Sequence, residues 1–187
     1  MIWNTPSFRI IALITPVTFL AYRSTLPFQL PFQYPLAILH LSSWGINVGT
    51  NFYTTFVAGI TMFKALPRRE FGKLQAKLFP KFFLLCTLTA FLQLSTLRNL
   101  SSTVSPSPTF FSLFCSLSNL LYLEPKSTSI MSQRHRLEDK GEASSEEYKS
   151  LKSEFGKLHG MSSLMNLGAL VGLLVHGALI ARKLVAP

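Results

Sequence analysis

Polar side chains recur at helical spacing within two long apolar stretches of the sequence. They are His40, Ser43, Asn47, Thr54 and Thr61 in the first stretch, and His159, Ser162, Asn166 and His176 in the second. Residues three or four positions apart share one face of a helix, so each set forms a polar stripe. Histidine can carry a proton or bind a metal ion, and hydroxyl and amide groups can form interhelical hydrogen bonds. The stripes indicate either a hydrogen-bonded seam that holds a helix bundle together or a narrow hydrophilic pathway through it.

The sequence contains no recognisable catalytic or metal-binding motif. Paired carboxylates, a Ser/His/Asp set and metal-ligand spacing are all missing from it. Cys86 and Cys115 lie within apolar stretches and form no CxxC pair, which is typical of small packing residues in a membrane helix. We therefore expect a non-enzymatic protein with no cofactor and no metal site. An intramembrane enzyme, in which folding brings His40, His159 and His176 together, is kept as a third hypothesis.

The composition is that of a membrane protein with a basic charge. Of 187 residues, 48% are hydrophobic and 14% are charged, whereas about a quarter of a typical soluble domain is charged. The net charge is +10, but the basic residues stand beside apolar stretches and do not form a stripe with interleaved aromatic residues. This distribution argues against nucleic acid as a partner. It favours contact with a lipid bilayer, and it leaves open a protein partner or a homo-oligomer.

Hydropathy divides the chain into four predicted membrane spans, at about residues 36–63, 79–97, 109–131 and 159–180. A charged amphipathic helix is predicted at about 144–158, where Ser144 and Glu147 have the spacing of a capping box. Residues 1–35 are predicted to be a fifth membrane segment, a targeting sequence or an extension. The predicted fold is an all-α, integral membrane four-helix bundle over residues 36–184, with the amphipathic helix on the cytoplasmic side.

A basic segment follows the first predicted span. It contains Lys64, Arg68, Arg69, Lys73 and Lys77, with Glu70 as its one acid. Basic loops stay on the cytoplasmic side of a membrane, so this segment and the 144–158 helix are predicted to be cytoplasmic, with both chain ends outside. The expected location is the endoplasmic reticulum or another endomembrane, with the plasma membrane as the alternative.

Glycines accompany the polar stripes and predict where helices approach closely. They are Gly45, Gly49 and Gly59 in the first span, and Gly168 and Gly172 in the last. The first and last spans run antiparallel in the predicted topology, so their stripes can align end to end. This alignment places His40 beside His176, Asn47 or Thr54 near Asn166, and Thr61 near His159.

Three blocks of the sequence resemble a known family. They read His40-Leu41-x-Ser43-x-Gly45, Met62-Phe63-Lys64-x-Leu66-Pro67-Arg68 and Phe155-Gly156-x-Leu158-His159-Gly160. Over about residues 40–177 the chain resembles the transmembrane protein 205-like domain, with fungal members as the nearest match. The resemblance implies a small eukaryotic multi-span membrane protein and transfers no catalytic residue to this chain.

Two functions are compatible with these patterns. The first is a membrane protein that aids the transport or secretion of small solutes or metal complexes. The second is a structural or adaptor subunit whose cytoplasmic loops bind a protein partner. A polar cavity that joins both aqueous sides would favour the first function, and a dry core beside an exposed apolar groove would favour the second.

Overall fold

The computed structural model describes residues 33–100 and 104–185, and every regular element in this part of the chain is a helix. The elements are α1 (Gln33–Phe52), a π-helical segment (Tyr53–Ala58), α2 (Gly59–Ala65), α3 (Arg68–Leu100), α4 (Ser107–Ser118), a second π-helical segment (Asn119–Leu123), α5 (Glu124–Asp139) and α6 (Glu146–Val185). The all-α prediction is confirmed. The predicted leader at 1–35 lies outside the described residues, except for its last three, which begin α1.

These elements form four helical rods. The backbone keeps right-handed helical dihedrals through both π-helical segments, so residues 33–65 form a continuous first rod and residues 107–139 a continuous third rod. Helices α3 and α6 are the second and fourth rods. The prediction of four long helices is confirmed, although each rod extends beyond the apolar segment from which it was predicted.

The longest helices join segments that the sequence analysis treated separately. Helix α3 continues from the basic segment through Pro80 into the apolar segment. Helix α6 unites the predicted 144–158 helix with the predicted 159–180 span over 40 residues. Its N-cap is Ser145, whose Oγ accepts a hydrogen bond from the backbone N–H of Tyr148 at 3.1 Å. The capping box predicted at Ser144 is therefore wrong by one residue.

The rods bury polar side chains and expose apolar ones. Asn47, Gln93, Asn119 and His176 have no exposed surface, although Phe82, Phe83, Cys86 and Leu120 also form an apolar cluster in the interior. The outward face of α6 is an apolar stripe at helical spacing, made of Met161, Leu164, Leu167, Val171 and Leu174. An apolar exterior around hydrogen-bonding side chains is the arrangement expected when the surrounding solvent is hydrocarbon.

Two helices in the described part of the chain are long and apolar enough to cross a membrane. They lie at Arg68–Leu97 and Glu146–Lys183, and an 18-residue segment of each has a mean hydropathy of 1.5 and 2.0, respectively. The polar stripe of the first rod lowers its mean hydropathy. In the third rod, Glu124 and Lys126 flank Pro125 and interrupt the apolar run.

Both charged connections lie at the same end of the bundle. Arg69 at the start of α3 forms an ion pair with Asp139 at the end of α5, with 2.7 Å between Nη1 and Oδ1. Gly141, in the turn to α6, has a φ of +77°, a conformation that favours glycine. We call this end of the bundle the charged end. The predicted placement of both charged connections on one side agrees with this geometry.

Candidate ligand-binding cleft

A cleft of about 840 Å³ opens at the charged end of the bundle. Its walls are formed by the first rod from Thr54 to Phe63, the first half of α3, α5 and the first half of α6. Along α6 the lining extends from Tyr148 to Asn166, an axial distance of about 27 Å at 1.5 Å per residue. The volume lies within the range of ordinary small-molecule sites, but the cleft is unusually long for its volume.

The mouth of the cleft is basic. Arg68, Arg69, Arg134 and Lys152 line it, together with the acid Glu138. Asp139 neutralises Arg69, and the Arg69 guanidinium in turn holds the pKa of the Asp139 carboxyl below its ordinary value. Among the described residues, neither Arg68 nor Lys152 forms an ion pair. The mouth therefore carries two uncompensated positive charges.

Arg134 is fixed in place by aromatic side chains at the mouth. Its guanidinium carbon lies 5.3 Å from the centre of the Tyr148 ring and 5.4 Å from that of Phe155. The Tyr148 hydroxyl accepts a hydrogen bond from Nη2 of Arg134 at 3.3 Å and donates one to Glu138 at 2.8 Å. Nε of Arg134 is buried and has no hydrogen-bond partner within the described structure. A cationic donor is thus held rigidly beside the cleft with one N–H unused.

Two histidines, His135 and His159, also line the cleft. Burial lowers the pKa of His135, so its imidazole is neutral near pH 7. His159 stacks on Phe155, with 5.7 Å between the ring centres and 9° between the planes. These contacts show both imidazoles as parts of the wall.

The cleft ends where the first rod and α6 meet. Nδ2 of Asn166 donates a hydrogen bond to Oγ1 of Thr55 at 2.7 Å, and both residues line the cleft. Nearby, Nδ2 of Asn119 donates to the backbone oxygen of Ser162 at 3.2 Å and ties the third rod to α6. These bonds form a polar floor.

Beyond the floor, the bundle is closed by a buried histidine pair. Nε2 of His40 lies 3.0 Å from Nε2 of His176, and Nδ1 of His40 lies 2.7 Å from Oγ1 of Thr96. Trp44 packs against Gly177 and donates its indole N–H to the backbone oxygen of Leu173 at 2.9 Å. These contacts join the first rod, α3 and α6, and they separate the cleft from the opposite end of the bundle.

The polar stripes meet at one end and diverge at the other. His40 and His176 are in contact, as the antiparallel alignment predicts, and Ser43 bonds to the backbone oxygen of His40. Asn47 does not reach Asn166, because its Nδ2 donates to the backbone oxygen of Cys86 on α3 at 3.1 Å. The prediction placed Asn47 or Thr54 near Asn166, and of these two only Thr54 lies there, lining the cleft together with Asn166.

The first π-helical segment explains why the alignment fails beyond Asn47. The backbone N–H of Gly59 bonds to the oxygen of Thr54, five residues back, so this turn holds about one residue more than an α-helical turn. Beyond this turn, the residues that share one face of the rod are consequently shifted by one position along the sequence. Thr55 therefore meets Asn166, while Thr54 lines the cleft and Thr61 turns to the exposed surface, so the predicted contact of Thr61 with His159 is wrong.

Only some of the predicted glycine contacts are present in the structure. A Cβ on Gly172 would lie 2.6 Å from the backbone oxygen of Pro108, and one on Gly168 would lie 3.4 Å from Cys115, so α4 and α6 do approach closely. Gly45 and Gly49 have no described atom within 4 Å of an ideal Cβ, and their predicted contact role is wrong because the stripe beside them faces α3. Gly59 serves its own helix, since a Cβ there would lie 2.8 Å from the oxygen of Thr54.

The basic segment is helical and divides between the cleft and the surface. Lys64 lies in the last turn of α2, Leu66 and Pro67 form the turn between the helices, and the other cations lie in α3. Arg68 and Arg69 line the cleft, whereas Lys64 and Lys77 are exposed and Lys73 pairs with Glu70 at 2.7 Å. The expected loop is thus a two-residue turn followed by a helix.

Several residues that complete the site were not predicted from the sequence to have a role in it. Arg134, Tyr148 and Phe155 were seen only as parts of a charged amphipathic region, and Thr96 and Thr55 were not selected. The heptad-like spacing of Tyr148, Leu151 and Phe155 carried a signal for one buried face. Their convergence on Arg134 depends on the antiparallel packing of α5 and α6 and has no local sequence signature.

The cleft can bind a ligand without any metal ion in its walls. Within residues 33–100 and 104–185, no three His, Cys, Asp or Glu side chains are grouped as metal ligands. Cations at the mouth, aromatic rings in the walls and an amide at the floor are suited to electrostatic and apolar binding. The predicted seam is divided by the structure. Thr54, His159, Ser162 and Asn166 line the cleft, whereas His40, Ser43, Asn47, Thr61 and His176 lie outside its lining.

A protein-family model matches part of the chain. A family model described as a domain of unknown function, DUF4149, covers residues 42–136, just over half of the chain. This range contains most of the first rod, all of α3 and the third rod as far as Arg136, and therefore three of the four walls of the cleft. No solved structure matches the chain. On the extent of the match, the chain belongs to the DUF4149 family.

Proposed function

We propose that this chain is a non-enzymatic, multi-pass integral membrane protein that binds a small solute through its cleft from the cytoplasmic side. The carrying observation is the cleft itself, which opens at the charged end and stops at the bond between Asn166 and Thr55. Such a site is the first requirement of a protein that aids transport or secretion.

The membrane placement is supported by the polar interior and the apolar exterior. The stripe at Met161, Leu164, Leu167, Val171 and Leu174 would be a costly surface in water and is the expected surface in lipid. The positive-inside rule places the basic connection between α2 and α3 in the cytoplasm. The blocks at residues 40–45 and 62–68, which resemble the transmembrane protein 205-like domain, support a multi-span membrane protein, and an endomembrane is the location we propose for it.

Among the described residues, the lining of the cleft runs from the charged end to the bond between Asn166 and Thr55. The contacts of His40 with Thr96 and His176 close the far half of the bundle. A continuous pore is therefore not what the geometry favours. It favours a one-sided binding state, such as the inward-open state of a carrier or the acceptor state of a secretion component.

The alternative of an adaptor subunit has less support. The exposed apolar side chains of the first rod outside the cleft, including Phe52 and Phe56, are accounted for by lipid contact. The enzyme hypothesis required converging histidines around a closed pocket. His40 and His176 do converge, but away from the cleft, while His159 lies in its wall.

The proposal is tested by thiol labelling in lipid nanodiscs, after alkaline carbonate extraction has shown that the chain stays in the membrane. Ser163→Cys places a thiol in the cleft, and Leu164→Cys places one about 1.5 Å along α6 but about 100° away, on the lipid-facing stripe. A charged maleimide should modify the first and spare the second. Cys86 and Cys115 are each 1% exposed, so the chain without an added cysteine should not be labelled and serves as the negative control.

Equal labelling of both variants would place this part of α6 in water and contradict the membrane assignment. Protection of both would contradict a water-accessible cleft.

A further inference from the structure

The cleft changes character along its length. Its mouth carries the uncompensated charges of Arg68 and Lys152 and the unused Nε of Arg134. Its middle is lined by phenylalanine side chains, Phe63, Phe71, Phe79, Phe82 and Phe83. Its floor is the bond between Asn166 and Thr55. A ligand that fills it must therefore be charged at one end and apolar along most of its length.

The charge at the mouth selects an anion. Arginine and lysine side chains bind phosphate and carboxylate groups by charge-assisted hydrogen bonds, and a planar arginine held between aromatic rings loses little entropy in doing so. Arg134 is held in this way by Tyr148 and Phe155. Glu138 pairs with Arg134, with 3.8 Å between Oε1 and Nη2, and also accepts the Tyr148 hydroxyl. Arg68 and Lys152 form no ion pair among the described residues.

The middle of the cleft selects a hydrocarbon chain. Phe63 is 56% exposed and Ile60 is 46% exposed, and both line the cleft on the side of the first rod. A compact polar solute would leave this apolar wall in contact with water, which is unfavourable. The lining runs for about 27 Å along α6, so the cleft is long enough to hold an extended hydrocarbon chain.

The position of the opening suits a ligand that comes from the membrane. Below the bond between Thr55 and Asn166, the first rod and α6 stand on opposite sides of the cleft. Ile60 and Phe63 on one side face Ser163 on the other. A chain in the inner leaflet can enter sideways between these rods while its headgroup stays at the basic mouth, where anionic headgroups gather.

We infer that the cleft binds a single-chain amphiphile with an anionic headgroup, such as a lysophospholipid, with its headgroup at Arg68, Arg134 and Lys152 and its chain along the phenylalanines. This inference names the ligand class of the site and rests on the proposed function. It assigns the cleft the task of extracting or presenting a lipid, and the binding step involves no covalent change.

The experiment uses the full chain in nanodiscs with a photoactivatable lysophosphatidic acid, titrated by its mole fraction in the lipid. The mouth variant is Arg68→Gln with Lys152→Gln. The matched control is Lys77→Gln with Lys157→Gln, which removes two exposed cations from the same rods without touching the cleft. Crosslinking to cleft peptides should weaken at least tenfold in the mouth variant and change less than twofold in the control.

Two unlabelled competitors test whether the cleft recognises the anionic headgroup, the hydrocarbon chain or both. Lysophosphatidylcholine has the same chain with a neutral headgroup and should compete at least tenfold less well than unlabelled lysophosphatidic acid. Glycerol 3-phosphate has the headgroup without the chain and should not compete in the millimolar range.

Equal competition by lysophosphatidylcholine would overturn the anionic requirement, and effective competition by glycerol 3-phosphate would identify a free phosphate ester instead of an amphiphile. Crosslinks confined to the stripe at Leu164 and Val171 would show surface lipid only and would also overturn the inference. In each case, labelling of Ser163→Cys with protection of Leu164→Cys would leave the proposed function standing, so the two failures are distinguishable.

Discussion

Substituting Gly172 by alanine should destabilise the bundle, while the same substitution at Gly160 in the same helix should stabilise it. An ideal Cβ at Gly172 lies 2.6 Å from the backbone oxygen of Pro108 and 3.4 Å from Cβ of Ser112. The nearest of these atoms belongs to backbone, so relief requires a shift of α4 against α6. A Cβ at Gly160 meets no described atom within 4 Å.

The magnitude follows from the two contributions. Overpacking costs about 1–3 kcal/mol, and alanine is better than glycine in a helix interior by about 0.5–1 kcal/mol. The gain in helix propensity from glycine to alanine is common to both variants, so it cancels when their free energies of unfolding are compared. The free energy of unfolding of Gly172→Ala should therefore fall about 1–3 kcal/mol below that of Gly160→Ala.

The assay is reversible unfolding in mixed micelles, with sodium dodecyl sulfate as denaturant and helical circular dichroism as the signal. Both variants should unfold in one transition with the same slope. Equal stability of the two variants, or a lower stability for Gly160→Ala, would refute the close packing of α4 on α6.

Three further predictions concern the histidine pair, the ion pair at the charged end and the start of α6. In a double-mutant cycle with His40→Leu and His176→Leu, the free energies of unfolding should show a coupling of about 0.6 kcal/mol, the usual value for a membrane hydrogen bond, and additivity would contradict their contact. Because Arg69 lowers the pKa of the Asp139 carboxyl, the ion pair contributes stability above the carboxyl's unfolded pKa and loses it as pH falls through the lowered folded pKa. Spin labels on α3 and α5 should consequently separate on acidification in that range, and Asp139→Asn should be separated already at neutral pH; an unchanged distance would contradict the ion pair. Ser145→Ala should cost about 0.5–2 kcal/mol of local protection at the first amides of α6 in hydrogen exchange, whereas an effect of Ser144→Ala alone would restore the capping box predicted from the sequence.

The helices were predictable because their signals are local. Apolar run length and 3.6-residue periodicity place all four rods, and the antiparallel order of the first and last rods brings His40 to His176. Hydropathy could not show that α3 and α6 continue into the charged end, because an amphipathic segment and an apolar segment differ in composition but not in backbone conformation.

The register of the first rod could not be predicted in the same way. Extrapolation at 100° per residue assumes an unbroken α-helix, and the π-helical turn at Tyr53–Ala58 violates that assumption. Its position therefore affects the register of the residues that follow Phe52, among which Thr55 bonds to Asn166. The second π-helical segment had a clearer signal, since Pro125 lacks the N–H that an α-helical turn would use.

The cleft depends on side chains that lie far apart in the sequence. Arg134, Tyr148 and Phe155 meet only because the turn at Gly141 returns α6 along α5. The uncompensated charge of Arg68 is likewise invisible in the sequence, where Glu70 stands close to it. In the structure Glu70 pairs with Lys73 instead.

A spin-label accessibility scan along residues 159–171 in liposomes tests the central claim most directly, since it compares the collision rates of each label with oxygen and with a water-soluble nickel chelate. We predict that nickel access peaks at the cleft positions 159, 162, 163 and 166, and that oxygen access peaks at 161, 164, 167 and 171. High nickel access at every position would place the helix in water, and high oxygen access at every position would leave no aqueous cleft. Either uniform profile would contradict a membrane bundle with a cleft open to the cytoplasm.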